Sequence, residues 1–314
     1  MVRESFLQLV SMDGSEGPDY LGWMPVSLRK ILRAKYWEFR AGRVRRKILG
    51  HYASREKTAE ETAVIGYLAG HPLRVFPYDF VEKYSLSDVV VDFDTGKGLP
   101  YADYHGERLY YPRDMPGNEI RASLQKLLVE QDPASPHRYL TPAISPGPGD
   151  VVADIGSAEG TFSLDVVERA ERLYLFEPEA RWHEPLRATF GPWSDKVVVV
   201  PALVSDTDGH GSTSLDAFFR GREEEVHFLK VDAEGAEREV LAGAREVLTR
   251  EHSQKGVICT YNRQDDGPDI CRTLRELGFT ASYSGGYMIY YFDEHIREPY
   301  LRRGLIRFTR QGPG

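Results

Sequence analysis

The amino-acid sequence predicts an α/β protein whose main part is a doubly wound, mostly parallel β-sheet. Between residues 150 and 294, short apolar runs alternate with helical patterns, which is typical of successive strand-helix-strand units. Several of these runs lead into a carboxylate or a small polar residue. Parallel strands end at a common edge of the sheet, and ligands bind beyond that edge. The pattern therefore predicts a ligand site formed by the strand ends.

The clearest element is the strand-turn-helix segment at residues 150–160, DVVADIGSAEG. An apolar strand ends at Asp154, and Gly156 and Gly160 border a turn before the next helix. Glycine permits a sharp turn and a close ligand approach, and free N–H groups at a helix start favour an electron-rich group. The segment predicts a nucleotide-like cofactor, with a structural turn that binds nothing as the alternative.

The composition of this turn favours one class of cofactor over another. A dinucleotide fingerprint requires three glycines in the spacing G-x-G-x-x-G, whereas Ser157 and Ala158 occupy the middle of this turn. The carboxylate of Asp154 would also repel a pyrophosphate and attract a cationic amino group. We therefore expect S-adenosylmethionine rather than a nicotinamide dinucleotide.

Later strands add polar residues to the same edge of the sheet. The second strand ends in Glu177 and Pro178, about 20 residues past the glycine turn, where a carboxylate suits two ribose hydroxyls. The third strand leads to Ser205 and Asp206, which we expect beside an adenine, and the fourth ends in Asp232. We predict the third, fourth and fifth strands at residues 196–200, 226–231 and 256–261, and a terminal β-hairpin over residues 281–293.

The chain has 314 residues, of which 41% are hydrophobic and 28% charged, as in ordinary globular proteins. This length predicts one large domain with a substantial appendage, or two domains. We assign an N-terminal α+β appendage to residues 1–120, and the doubly wound domain with a basic C-terminal tail to residues 121–314. The net charge of −8 argues against broad nucleic-acid binding. We find no apolar run of bilayer length and expect no stable membrane insertion.

The cysteine and carboxylate patterns do not predict a metal site. Cys259 and Cys271 are the two cysteines of the chain, too few for a disulfide framework or a thiolate zinc cluster. We expect both to be reduced core thiols in a cytoplasmic protein. Asp92 and Asp94 lack the spacing of a calcium-binding loop.

The region before the sheet contains helical patterns and a small β segment. The first pattern, at residues 20–50, is basic and amphipathic. It predicts a helix with solvated charges, with a membrane-surface or partner helix as the alternative. Further helices are predicted at residues 54–70 and 119–131, and a hairpin or meander at residues 88–112.

A polar loop follows the helix at residues 119–131 and contains Ser135, His137 and Tyr139 between prolines. It comes just before the first strand of the sheet. Its three donor side chains suggest that it closes over the carboxylate of a cofactor. A proline-rich linker is the alternative.

The segments DIGSAEGTFSL, FEPEA, PALVSDTDG, SLDAFF and LKVDAEGAEREVLAGA together resemble the FkbM-type methyltransferase family. The resemblance covers residues 130–292, and the last segment is the most specific. Ser157 and Glu159 depart from the family pattern. The family implies a Rossmann-like class I methyltransferase fold and S-adenosylmethionine-dependent methylation of hydroxyl groups.

The resemblance also implies roles for individual residues. Those expected to hold the cofactor are Asp154, Gly156, Ser157, Gly160 and Phe162 at the methionine part, Glu177 and Pro178 at the ribose, Ser205 and Asp206 at the adenine, and Ser135 and Tyr139 in the preceding loop. The residues expected to be catalytic are Asp232, Glu234 and His137, with His210 as a further candidate for the general base. No metal is assigned.

We therefore expect O-methylation of a hydroxyl on a sugar, a glycan or a secondary metabolite. The alternatives are a nicotinamide-dependent oxidoreductase and a non-catalytic fold that binds S-adenosylmethionine. The expected partner is a small-molecule or glycan acceptor and not a nucleic acid, and a homo-oligomer is left open.

Overall fold

The computed structural model of the chain describes residues 26–312, with side chains from residue 35 onward. The predicted basic helix is α1 (Val26–Tyr52), and residues 20–25 of that prediction lie outside the described residues. The next helix is α2 (Ala59–Gly70), which begins with a capping box formed by Thr58 and Glu61. Among the described residues, no helix combines the length and the apolarity needed to cross a bilayer.

A small antiparallel sheet and a helix follow, as predicted. The sheet has the order β1-β2-β3 and consists of β1 (Val91–Asp94), β2 (Leu99–Tyr104) and β3 (Glu107–Tyr110). Two short 3₁₀ helices, Asp79–Lys83 and Leu86–Asp88, precede it. The helix α3 (Gly117–Glu130) follows and leads into the polar loop.

The main sheet and its helices occupy the rest of the chain. The strands of this sheet are β4 (Val151–Ile155), β5 (Arg172–Phe176), β6 (Val197–Val200), β9 (Val226–Val231), β10 (Gln254–Cys259), β11 (Thr280–Tyr283) and β12 (Leu305–Arg310). The strands β7 (Leu203–Val204) and β8 (Ser212–Thr213) form a separate parallel pair. The helices are α4 (Thr161–Val166), α5 (Ala180–Thr189), α6 (Leu215–Phe218), α7 (Glu237–Ala242), α8 (Arg245–Thr249) and α9 (Asp266–Glu276), and a 3₁₀ helix covers Gly191–Trp193.

The main sheet has seven strands in the order β11-β12-β10-β9-β4-β5-β6. The pairs from β10 to β6 are parallel, whereas β12 pairs antiparallel with both β10 and β11. The strand order reverses beside β4, where β9 lies on one side and β5 on the other. This reversal point is where open α/β sheets bind ligands, and the predicted doubly wound, mostly parallel sheet is confirmed.

The terminal antiparallel pair forms, but its second strand differs from the expected one. β11 lies at the start of the predicted hairpin, and β12 comes from the basic C-terminal tail instead of residues 286–293. The arginines of this strand reach its surroundings with their long side chains: Arg307 donates to the Arg138 carbonyl and Arg310 to the Gln254 side chain. A strand can therefore carry these charges within the sheet.

The third strand forms where it was predicted, but the position of the residues that follow it needs a correction. The strand β6 ends at Val200, and the chain then turns into β7, which pairs with β8 outside the main sheet. Ser205 and Asp206 follow β7 and therefore do not follow a strand of the main sheet. The residue whose carbonyl lies beside Glu177 is Val200, which accepts a hydrogen bond from the Glu177 N–H at 3.1 Å.

The hydrophobic cores join the first 120 residues to the sheet. Leu109 and Tyr111 share one buried cluster with Val152 of β4 and Phe228 of β9. A second cluster packs Ile48, Val64 and Leu68 of α1 and α2 against Ile289 and Leu301, which lie between β11 and β12. The domain boundary near residue 120 stays a prediction, and the packing crosses it.

Candidate functional site

The ends of β4 and β9 touch at the centre of the site. Gly156 follows β4 with a positive φ of +71°, and a Cβ atom added there would overlap the backbone carbonyl of Asp232. The N–H of Asp232 donates to the Ile155 carbonyl at 3.1 Å. The sequence suggested that this glycine admits a ligand. In the structure it admits the backbone of the neighbouring strand end.

The remaining residues of the glycine turn also pack inward. A Cβ atom on Gly160, whose φ is +87°, would lie 2.9 Å from side-chain atoms of Leu186 and Phe190 on α5. Ser157 donates through its Oγ to the Phe176 carbonyl at 3.3 Å. Phe162 is buried, with its ring centroid 5.7 Å from that of Phe228. The side chain of Phe162 therefore packs in the core, and its contact with the cofactor stays a prediction.

Asp154 forms an internal ion pair. Its carboxylate is fully buried, lies 2.9 Å from Lys230 Nζ and accepts a hydrogen bond from Ser163 Oγ at 2.7 Å. Lys230 also donates to the Gly156 carbonyl at 2.6 Å. The sequence predicted that Asp154 contacts the cofactor. Because its carboxylate is buried and paired, we assign it instead to holding the strand ends in place.

Glu177 presents a carboxylate at the end of β5. Its Oε2 accepts the Ala158 N–H at 2.9 Å, and its Oε1 accepts the Glu179 N–H at 2.7 Å. Both oxygens keep a further lone pair for a hydroxyl donor. Burial raises the pKa of Glu177 to about 7. Pro178, the next residue, is exposed.

The predicted loop and the end of β9 meet around Asp232. The Tyr139 hydroxyl donates to Asp232 Oδ2 at 2.7 Å, and the Tyr261 hydroxyl donates to Oδ1 at 3.3 Å. His137 Nε2 lies 3.8 Å from Asp232 Oδ2 and 3.4 Å from Cys259 Sγ. The structure thus brings together residues of the loop and of two strand ends. The sequence offers Tyr261, which follows the fifth strand, only as a reserve candidate near the substrate, and it does not predict Cys259 in the site.

Electrostatic interactions hold this group in defined charge states. Burial lowers the pKa of His137 to about 4, so its imidazole is neutral at neutral pH. Burial alone would raise the pKa of Asp232, but the Lys230 charge and the hydrogen bond from Tyr139 act against it, and that pKa is lowered. Asp232 is therefore an ionised carboxylate.

The other acidic residues after β9 have different environments. Glu237 is buried and accepts hydrogen bonds from the N–H groups of Ala233 and Gly235, both at 3.1 Å, and from the Asn262 side chain at 3.0 Å. It therefore fixes the loop at residues 233–235. Glu234 is exposed, with a positive φ of +54°.

A further acidic region near Asp232 comes from α3 and the glycine turn. Glu159 is buried and accepts a hydrogen bond from Ser123 Oγ at 2.6 Å. Burial, followed by the charges of Asp232 and Glu159, raises the pKa of Glu130 to about 8. Lys126 partly offsets this effect. These carboxylates favour a cationic ligand. The sequence contains only a weak signal for them: Glu159 departs from the family pattern, and Glu130 is a polar residue directly before the loop.

The remaining predicted residues do not join this group. Ser205 Oγ donates to Asp206 Oδ1 at 3.1 Å in an exposed segment, and His210 is exposed in the turn between β7 and β8. Ser135 is buried, and its Oγ accepts the His137 N–H at 3.1 Å. Ser135 therefore shapes the loop that carries His137.

The strand order places the carboxylates of Glu177 and Asp232 at the reversal point of the sheet, where a Rossmann-like fold binds its ligand. Residues 150–281 match the family model of the methyltransferase FkbM domain. The expected resemblance to this family is thereby confirmed, and the nicotinamide alternative is set aside. No curated protein matches the chain.

Several solved structures are similar to the chain at low sequence identity. Methyltransferase FkbM from Methylobacillus flagellatus KT is 15% identical with a TM-score of 0.42, and the match covers 62% of this chain and 54% of that protein. Precorrin-6y C5,15-methyltransferase from Geobacter metallireducens GS-15 is 13% identical with a TM-score of 0.37, covering 53% and 81%. A Streptococcus mutans protein in complex with SAH is 14% identical with a TM-score of 0.36, covering 52% and 89%. The chain thus spans about half of the first of these proteins.

The side chains present fit S-adenosylmethionine. Glu177 offers two carboxylate oxygens that already accept N–H groups and retain capacity for hydroxyl donors. Glu130, Glu159 and Asp232 form an acidic surrounding that suits a sulfonium and an ammonium group. The donor set therefore matches both the ribose and the charged end of this molecule.

Proposed function

We propose that the protein transfers a methyl group from S-adenosylmethionine to a hydroxyl oxygen of a sugar, a glycan or a secondary metabolite. The observation that supports this most is the Asp232 carboxylate, which lies beside the glycine turn and is held by two phenol hydroxyls. Its side chain is 18% exposed, whereas that of His137 is 2% exposed. An acceptor would therefore reach Asp232 first.

The cofactor supplies a methyl group on a sulfonium, whose sulfur leaves as a neutral thioether. In this proposal Glu177 accepts the ribose hydroxyls, and Glu130 and Glu159 favour the positively charged end. These contacts fix the position of the donor relative to the end of β9, and alignment of the reacting atoms is a large part of the catalysis of a displacement.

Asp232 acts on the acceptor. Its carboxylate receives the hydroxyl proton as the oxygen gains the methyl group, so the acceptor leaves as a neutral ether. Tyr139 and Tyr261 hold the two carboxylate oxygens and so orient Asp232. Glu234, exposed two residues beyond Asp232, is proposed to contact the acceptor at the edge of the site.

A labelled-methyl assay tests the proposal. Purified protein is incubated with labelled S-adenosylmethionine and panels of glycans, hydroxylated small molecules and, for comparison, transfer and ribosomal RNA. We expect label in a base-stable ether of a hydroxyl acceptor. The Asp232→Asn variant should lose about 10²- to 10⁴-fold in rate and keep its affinity for S-adenosylhomocysteine.

The matched control is Asp195→Asn. Asp195 is exposed and precedes β6, at the opposite edge of the sheet from the site. It should keep the full rate. Label found in RNA instead, or full activity of Asp232→Asn, would contradict the proposal.

For the location, the unpaired thiols of Cys259 and Cys271 are compatible with the cytoplasm.

A further inference from the structure

Three side chains of metal-binding type converge at the end of β9. His137 comes from the loop before β4, Asp232 follows β9, and Cys259 ends β10. The nearest ligand atoms of the three all lie within 4.8 Å of one another. Within this group, His137 Nε2 lies 3.4 Å from Cys259 Sγ and 3.8 Å from Asp232 Oδ2.

These distances are those of ligands around one ion. Bonds of ~2.0–2.3 Å in a tetrahedral site place ligand atoms ~3.3–3.8 Å apart. The distance from His137 to Asp232 is too long for a hydrogen bond, which requires ~3.2 Å or less between nitrogen and oxygen. The two residues are therefore near neighbours without a hydrogen bond between them.

His137 lacks the partners that a buried imidazole normally has. The residue is 1% exposed, and within residues 26–312 its Nδ1 has no hydrogen-bond partner. Its Nε2 lies near a weak sulfur partner and a more distant carboxylate oxygen. An ion at Nε2 would give this imidazole a stronger interaction than the sulfur contact at 3.4 Å provides.

We propose that His137, Asp232 and Cys259 bind a divalent transition-metal ion of the zinc type. One nitrogen, one oxygen and one sulfur ligand suit zinc or cobalt, whereas magnesium and calcium prefer oxygen ligands. Binding releases the Cys259 thiol proton to solvent, and the thiolate and the carboxylate together balance the two positive charges of the ion.

The surroundings also match a metal site. The hydroxyls of Tyr139 and Tyr261 donate to the two oxygens of Asp232, as residues around a metal commonly do for a ligating carboxylate. Three protein ligands leave a fourth position open. Binding of an acceptor oxygen at that position rests on the proposed function, and it would lower the pKa of the hydroxyl.

Cobalt binding tests the site without any methyl transfer. The full-length protein is treated with a chelator, desalted and titrated with Co²⁺ in the absence of S-adenosylmethionine. We expect one equivalent to bind and to produce a thiolate-to-cobalt charge-transfer band in the near ultraviolet, which Zn²⁺ removes. Failure of the band to form would overturn the proposal.

The two cysteines supply a matched pair of variants. Cys259→Ser should lose the band, whereas Cys271→Ser should keep it, because Cys271 lies in α9 and belongs to a different buried cluster. The reverse result would overturn the proposal. His137→Gln keeps both cysteines and should weaken cobalt binding at least tenfold; unchanged binding in folded protein would also overturn it. Melting curves establish that each variant is folded.

The outcomes separate this site from the proposed function. A cobalt band without methylation of any hydroxyl acceptor would keep the metal site and reject the proposed reaction. If chelator-treated protein methylates a hydroxyl acceptor but shows no band when Co²⁺ is added, the reaction would be kept and the metal site rejected.

Discussion

Replacing Glu177 by Gln tests whether its carboxylate holds the ribose of the cofactor. Burial raises the pKa of Glu177 to about 7, and the nearby charge of Glu179 raises it further. The hydrogen bonds from the N–H groups of Glu179 and Ala158, and the charge of Lys230, act in the opposite direction. His183 contacts the Glu177 backbone carbonyl at 2.7 Å. Ribose hydroxyls donate to the ionised carboxylate, so binding favours the ionised form and releases a proton below pH 7.

The size of the effect follows from this pKa. With a pKa of about 7, about a tenth of the Glu177 carboxyl groups are ionised at pH 6 and about nine tenths at pH 8. The dissociation constant of S-adenosylhomocysteine should therefore fall about tenfold between pH 6 and pH 8. Above pH 8 it should level off.

Isothermal titration at several pH values measures the effect. The fall should vanish in Glu177→Gln and persist in Glu179→Gln, whose exposed side chain is two residues away. A fall of equal size in Glu177→Gln would refute the reasoning. Because the pKa in the folded protein lies above the ordinary value of 4.5, the protonated carboxyl favours folding below about pH 4.5, and this contribution is lost as pH rises through 7. Glu177→Gln should thus gain stability relative to wild type at pH 8.

Further substitutions test the strand ends and the loop before β4. Gly156→Ala forces a Cβ atom into the backbone at the end of β9 and should cost at least ~3 kcal/mol in the free energy of unfolding. Gly149→Ala, at a positive φ but with open space, should cost only ~1 kcal/mol. Lys230→Met leaves the Asp154 charge buried and unpaired and should cost ~3–5 kcal/mol in the free energy of unfolding. The double variant Lys230→Met with Asp154→Asn should cost less than Lys230→Met alone. Urea unfolding measures the stability of each of these glycine and lysine variants. Tyr139→Phe removes one hydrogen bond to the catalytic carboxylate and should lower the methylation rate about tenfold while cofactor affinity stays unchanged, whereas an equal loss of affinity would place Tyr139 at the cofactor.

Apolar runs predicted most of the sheet because β4, β5, β9 and β10 are buried throughout or nearly so. β12 escaped prediction for a physical reason. Its sequence, LIRFTR, ends a basic tail, and its arginines are accommodated by backbone carbonyls and by the Gln254 side chain, partners that no local pattern specifies.

The sequence predicted the site residues that directly follow strands of the sheet. Glu177 and Asp232 follow parallel strands, so topology brings them to one edge. The approach of Cys259 to His137 spans 122 positions of sequence, and no periodic pattern encodes such a contact. Nor can a sequence distinguish a glycine that admits a ligand from one, such as Gly156, that admits a neighbouring backbone.

The unequal distribution of charge predicts that the site prefers a cationic donor to its neutral product. Lys230 is paired with Asp154. Glu130 lies near the carboxylates of Asp232 and Glu159, and burial together with their charges raises the pKa of Glu130 to about 8. A sulfonium relieves this repulsion, whereas the thioether of S-adenosylhomocysteine does not. Glu130→Gln should therefore reduce the affinity for S-adenosylmethionine more than that for S-adenosylhomocysteine, by about fivefold in the ratio of the two dissociation constants if the difference is ~1 kcal/mol. Glu119→Gln, at the other end of the same helix, should leave the ratio unchanged, and an unchanged ratio in Glu130→Gln would mean that the sulfonium binds elsewhere.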